Sequence, residues 1–454
     1  MWACHRTAKV RADAMRPEYL AAMPFERLVH ALSIPTRTGG DEAPFVDFGE
    51  FLAGAFPGVH AALELERVNG HTRMYRWPGT RPELVPDLFV SHFDVVPEGD
   101  AGAWSRSPWG ERAGGRVYGR GALDVKSGVM AMLEAAEEFV GRGWRPERDL
   151  WMVVGHDEET GGYRGAAAAA ALFRGRGLRF RCVYDEGGAI VANPLGGGEV
   201  AAVGVAEKGW VDVKVTARGA GGHASLSAAF NPLVASARGV ARMPGVMLPP
   251  AIPAPALELV AALSAGRPLQ VGAIRLAAAL APRMLHRALL RVPDVRTQVA
   301  TLVTATRFEA GHAPNAVPDR AELVLNCRIA PGSSRAEVVA WIARYFPRDT
   351  FEITSEGGSE PSPTVDARGE EFGRLRNVIE GLGLAPRTVP MVFTGITDSR
   401  HYVDLAGAVL RFLPLRLTPA NRSGIHGVDE HIEESNYLEI IQFYKALFER
   451  CGMT

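Results

Sequence analysis

"RDLWMVVGHDEETGG", residues 148–162, carries an apolar run straight into three adjacent acids, Asp157, Glu158 and Glu159, closed by two glycines. Bounded in this way, the run reads as a strand whose end delivers the acids. Like charges this close repel and raise one another's pKa unless something positive sits nearby. A solvated turn would relieve them, and so would a metal centre. Which reading holds depends on what the rest of the chain places at the same end of the sheet.

Working outward, the same grammar repeats. "ELVPDLFVSHFD" (83–94) reads as a strand ending at His92, and "GVMAMLEAAEEFV" (128–140) as a helix. "GAAAAAALF" (165–173) reads as a second helix and "RFRCVYDEGG" (179–188) as a third strand. Strands alternating with helices predict the α/β class, a mixed sheet covered by helices on both faces. Ligands of such sheets collect at the carboxyl ends of the strands. His92 and Asp94, Glu158 and Glu159, and Asp185 and Glu186 all fall there.

The texture changes near Glu207. "WVDVKVTARG" (210–219) alternates Val211, Val213 and Val215 with Asp212, Lys214 and Thr216, the period of a half-buried strand. "AELVLNCRIA" (321–330) predicts another strand and "RAEVVAWIARYF" (335–346) a helix. We expect a smaller α+β domain at 206–355 inserted into a catalytic domain made of 1–205 and 356–454. Residues 244–300 form a Pro- and Ala-rich, partly helical elaboration of it. "SEGGSEPSPT" (355–364) reads by composition as the loop by which the chain rejoins the first domain.

At 454 residues the chain is long enough for two or three domains. Its formal net charge of -1 gives no reason to expect nucleic acid or a membrane as partner. The opening "MWACHRTAKVRADAMRPEYL" lacks the continuous apolar core of a secretory signal. The richest apolar stretches, around 246–264 and 271–290, are broken by Pro or Arg before they could span a bilayer. Cys4, Cys182, Cys327 and Cys451 are far apart and read as reduced thiols of a cytoplasmic protein.

Five segments supply oxygen and nitrogen ligands: "SHFDVVP" (91–97), "GALDVKSG" (121–128), "GHDEETGG" (155–162), "VYDEGG" (183–188) and "GIHGVDEHI" (424–432). His with carboxylates and no nearby Cys suits zinc, manganese or cobalt in a hydrolytic site. In an extended "HFD", His92 and Asp94 point to one side, so Asp94 could orient the imidazole of a ligating His92. Taken singly, each segment also has an ordinary reading: a polar pair at a strand end, a helix cap at Asp124, a solvated turn. Their combination and order are what carry weight.

That order, H-x-D, G-x-x-D, E-E, D/E and a late His, resembles the co-catalytic zinc aminoacylases and carboxypeptidases. These include acetylornithine deacetylase, succinyl-diaminopimelate desuccinylase and glutamate carboxypeptidase. "HFDVVP", "GHDEE", "DEGG", "EKG", "ITDSR" and "IHGVDE" look most like the carboxypeptidase S and N-fatty-acyl-amino-acid hydrolase branch. The resemblance implies two Zn2+ per chain, with Co2+ or Mn2+ as alternatives. It implies that His92 and Asp185 hold one ion and Glu159 and His426 the other, with Asp124 bridging. Glu158 is then the general base, taking a proton from water and passing it to the departing amine.

By the same resemblance the inserted domain is a ferredoxin-like lid through which a homodimer forms. His223, in "GAGGHASL" (219–226), is then an oxyanion donor reaching across from the partner subunit. Asn315 and Arg328, in "GHAPNAVPDRAELVLNCRI" (311–329), bind substrate, and Arg328 suits a free carboxylate. Thr397, in "GITDSR" (395–400), lines the same pocket. Two departures stand out. Val125 follows the bridging acid where the family has Asp or Asn across a cis peptide, and Ile396 replaces a polar or small residue.

The implied activity is metal-dependent hydrolysis of the amide bond of N-acyl amino acids, or of the C-terminal residue of small peptides. A deacylase of an amino-acid biosynthetic intermediate is the alternative within the family. A non-catalytic binding member is the alternative outside it, but such a chain would be expected to lose Glu158 or a ligand first.

Overall fold

Alternation along the central strands sorts their side chains onto two faces. In Asp87–His92, Phe89 joins one hydrophobic cluster while Leu88 and Val90 join another. In Leu150–Gly155, Met152 and Val154 fall on the first side, Trp151 and Val153 on the second. A strand apolar on both faces needs a cover on each. Lys126–Gly141 and Glu434–Gly452 supply one, through residues such as Met130, Leu133, Ile440 and Leu447. Ala166–Gly175 supplies the other, through Ala166, Ala169, Ala170 and Phe173.

These residues belong to a computed structural model that describes residues 24–453 apart from 194–197, 227–229 and 265–267. Cys4 and the opening segment lie outside the described residues; Cys182, Cys327 and Cys451 are buried free thiols. The main sheet has ten strands and is mixed. Leu150–Gly155, Asp87–His92, Phe180–Asp185 and Ala406–Arg411 lie side by side and parallel. Their carboxyl ends therefore share one edge, which brings His92, the acids after Gly155, and Asp185 together as the sequence predicts. Antiparallel strands, Thr72–Trp77 and Glu199–Glu207, flank the four.

The second sheet has five strands and is antiparallel, in the order Val246–Met247, Thr301–Ala310, Arg320–Ile329, Gly209–Arg218, Phe351–Ser359. Its four long strands and the helices Pro232–Arg242 and Arg335–Ile342 follow the βαββαβ order of the ferredoxin-like motif. Val211, Val213 and Val215 face both helices, whereas Asp212 and Lys214 face away. Ser334 and Glu337 close the second helix with a capping box.

"SEGGS" (355–359) is strand rather than loop. Gly357 and Gly358 adopt φ of 62° and 104°, and the pairing with Gly209–Arg218 shifts register between Trp210 and Asp212. A Cβ on Gly358 would lie 2.4 Å from the Trp210 carbonyl oxygen. The glycines that suggested a loop instead build a bulge that lets the ladder continue.

In the elaboration, Ala254–Leu263, Pro268–Leu280, Pro282–Leu289 and Pro293–Val299 are helices. Proline stands in the first turn of each, where its missing N–H costs nothing. Ala256, Val260, Leu289 and Val299 form their shared small core. The chain crosses between the two sheets twice, side by side: Glu207 N donates to Ser362 Oγ (2.8 Å) and Ser362 N to the Glu207 carbonyl (3.0 Å).

Candidate metal centre and active-site cleft

At the shared carboxyl edge, Asp124 stands between two histidines. Its Oδ1 lies 3.2 Å from His92 Nε2 and its Oδ2 3.1 Å from His426 Nε2. Glu186 Oε1 is 3.0 Å from His92 Nε2, and Glu159 Oε1 is 3.3 Å from His426 Nε2. Two potential cation positions result, His92–Asp124–Glu186 and Asp124–Glu159–His426, sharing one carboxylate. Glu158 Oε2, 3.7 Å from His92 Nε2, flanks the first.

Local structure explains the placement. Glu158–Thr160 forms one 3-10 turn after the strand Leu150–Gly155. Asp94, fully buried, accepts from the backbone N–H of both Glu158 and Glu159 (3.1 Å each), with its Oδ1 3.4 Å from His92 Nδ1. The same Nδ1 lies 3.0 Å from the Asp94 carbonyl, so the other ring nitrogen, Nε2, faces the acids. Asp157 closes the turn by accepting from Arg164 N and Gly165 N. His156 turns away to Thr72 Oγ1 at 2.6 Å.

The sequence reading is corrected at one position. Asp185, expected opposite His92, instead accepts from Ser399 N (2.8 Å) and Glu186 N (2.9 Å). Alternation explains this: Asp185 is the last residue of its strand and falls on the side of Val183, toward Asp398–Tyr402. Glu186, one residue past the strand, is free to turn to His92.

The loop bearing Asp124 has a support that the sequence reading missed. Glu430, fully buried, accepts from Leu123 N (2.7 Å), Asp124 N (3.1 Å) and Gly121 N (3.1 Å) and pairs with Arg120. The Asp124–Val125 peptide beside it is cis, as the family pattern implies despite Val125. Glu430→Gln keeps the volume but removes an acceptor and the charge facing Arg120. We expect metal affinity to fall by roughly 10–100-fold, read by competition with a chromogenic chelator.

The electrostatics show how strongly the acids and histidines of the site act on one another. Burial opposes protonation of His92, yet Glu186 and Asp124 outweigh it and hold its pKa well above the ordinary value. Asp124 and Glu159 push His426 up to about 10. Burial pushes Glu186 up to about 7 and raises Glu158 well above the carboxylate range. Carboxylates are thus concentrated, largely out of water, around two histidines. Glu159 Oε1 is moreover buried and, although 3.3 Å from His426 Nε2, makes no hydrogen bond among the described residues. The donors are nitrogen and oxygen with no sulfur, and one carboxylate is shared. The residues present fit two divalent cations.

A cleft of about 920 Å³ opens from these residues between the two sheets. Arg328 and Thr397 line it. Thr397 is fixed by Glu207 (3.0 Å), which itself pairs with fully buried Arg411 (2.8 Å). Burial, despite nearby Asp212 and Glu207, lowers the pKa of Arg328. His223 and Asn315 do not line the cleft of their own chain. They lie together on an exposed ribbon, where Gly222–His223 pairs with Ala316–Val317 and Ala224 N donates to the Asn315 carbonyl (2.8 Å).

Fold and site together define a metal-dependent hydrolase. Residues 88–450 match peptidase family M20/M25/M40, and the chain belongs to that family. It is 31% identical over 443 residues to "Probable carboxypeptidase S-like 2" of Dictyostelium discoideum, covering 93% of this chain and 84% of the relative. It is 30% identical over 436 residues to the mouse "N-fatty-acyl-amino acid synthase/hydrolase PM20D1", covering 92% and 86%. Among solved structures, the M20 family metallo-carboxypeptidase Sso-CP2 from Sulfolobus solfataricus superposes with a TM-score of 0.70 at 16% identity, covering 94% of this chain and 99% of that one.

Proposed function

We propose that this hydrolase cleaves the amide bond of N-acyl amino acids whose acyl group is apolar. The observation that carries the reading is the composition of the cleft. Val191, Leu259, Leu263, Val295, Met391 and Phe393 form apolar walls that lead to the acid–histidine cluster, and Arg328 lines the same cleft. A substrate with a greasy acyl arm, a scissile amide and a free carboxylate matches all three regions. The relatives named for carboxypeptidase and N-fatty-acyl-amino-acid chemistry support the same class.

His92, Asp124, Glu186, Glu159 and His426 would hold two divalent cations, zinc by preference of the donor set. When bound, such ions supply carbonyl polarisation and acidification of water. Glu158 projects into the cleft beside them and serves as the proton acceptor, its backbone fixed by Asp94. The same carboxyl returns the proton to the departing amine. Arg328 orients the substrate through its carboxylate. His223 and Asn315, absent from their own cleft, would reach substrate from a second copy of the chain.

A hydrolysis screen of N-acyl amino acids of graded chain length, beside simple dipeptides and acetylornithine, tests the reading. Each methylene buried in the cleft is worth ~0.8 kcal/mol, so kcat/KM should rise about fourfold per CH2 until the cleft is full. A flat profile, or a preference for acetylornithine, would reject the apolar acyl group. Arg328→Leu should raise KM for substrates with a free carboxylate and leave the corresponding amides little changed. Equal effects on acid and amide would remove Arg328 from carboxylate recognition.

A further inference from the structure

Outside the cleft, the two central helices of the elaboration carry an outward face that no described element covers. On Pro268–Leu280, Leu269 is 89% exposed, Leu276 60% and Leu280 75%; on Pro282–Leu289, Met284 is 73% exposed. With exposed Ala273, Leu269, Leu276 and Leu280 share one face of Pro268–Leu280, and Met284 is exposed on the next helix, beyond the break at Ala281. Soluble surfaces seldom leave four large apolar side chains this exposed on so short a stretch of chain. The inward face is accounted for by Ile274, Leu285 and Leu289, which pack into the small core described above.

Charge identifies what this face meets. Arg275, Arg283, Arg287 and Arg291 are exposed on the same stretch of chain, and none pairs with an acid among the described residues. The sequence contains no Asp or Glu between Glu258 and Asp294. A second copy presenting the same face would set arginine against arginine. An anionic lipid surface offers phosphates to the arginines and acyl chains to the leucines, the arrangement that holds an amphipathic helix in the plane of a bilayer. Among the described residues no helix is long and apolar enough to cross a membrane, so the contact is one of lying on the surface.

We propose that Pro268–Leu280 and Pro282–Leu289 dock the protein onto an anionic phospholipid bilayer. Leu269, Leu276, Leu280 and Met284 enter the boundary between headgroups and acyl chains, and the four arginines pair with headgroup phosphates. The neighbouring helices Ala254–Leu263 and Pro293–Val299 contribute Leu259, Leu263 and Val295 to the cleft wall. Docking therefore brings the cleft close to the surface on which amphiphilic molecules reside.

Cosedimentation of the full chain with phosphatidylcholine vesicles, with and without phosphatidylglycerol, tests this without reference to hydrolysis. The chain should partition onto the phosphatidylglycerol vesicles and be released as salt is raised. Arg275→Gln combined with Arg283→Gln and Arg287→Gln should weaken partition roughly a hundredfold, at unchanged melting temperature. Leu276→Ser with Leu280→Ser should weaken it independently of salt. Equal partition onto both vesicle types, no partition onto either, or an unaffected arginine variant would overturn the proposal. So would concentration-dependent self-association abolished by the same substitutions, which would assign the face to a second copy.

Discussion

Glu158→Gln is expected to leave two metal ions per chain and to lower kcat by roughly 10²–10⁴-fold. The carboxyl sits where proton transfer needs it, beside His92 but belonging to neither cation group. The amide keeps the size and the backbone hydrogen bond to Asp94, so the turn that also carries Glu159 should persist. It cannot accept a proton from water at neutral pH. Metal analysis and turnover on one preparation separate the two roles. Lost metal would make residue 158 a ligand, and retained turnover would move the base elsewhere.

The second large effect belongs to Asp124. Its two oxygens face different histidines, so Asp124→Ala removes an acid from both positions at once. We expect metal content to fall from two ions per chain to a small fraction of one at stoichiometric zinc. Glu186→Gln, by contrast, should weaken only the position shared with His92, and Asp185→Asn, which acts on that position only through the Glu186 backbone, should weaken it less. If Asp185→Asn emptied that position and Glu186→Gln did not, the assignment taken from the structure would reverse.

Much of this architecture is legible in the sequence because local and long-range signals agree. Residues 150–154 and 180–184 are apolar-rich runs of strand length, while the alanines of 166–171 leave little but helix. The five ligand-bearing segments are legible through their order. Where the reading failed, the deciding physics was not local. In "DEGG" the identity of the facing acid depends on where the strand ends, a one-residue question that reverses the side chain's direction. Glu430 supports Asp124 across a separation of 306 residues, which no spacing announces. The glycines of 357–358 have the composition of a loop and the geometry of a bulge.

Asp94 gives the centre a property that its separate parts do not have. One carboxylate accepts from the backbone beneath the proton acceptor and beneath a ligand of one position, and lies against the ring that serves the other. An Asn there could offer only one acceptor, and its NH₂ would confront a backbone N–H as donor against donor. The cost would be distributed over both cation positions and Glu158 together. Energies measured by changing His92, Glu158 and Glu159 one at a time will therefore not sum, because each change lets the same anchor relax. In this protein the tools of hydrolysis behave thermodynamically as one component with several faces.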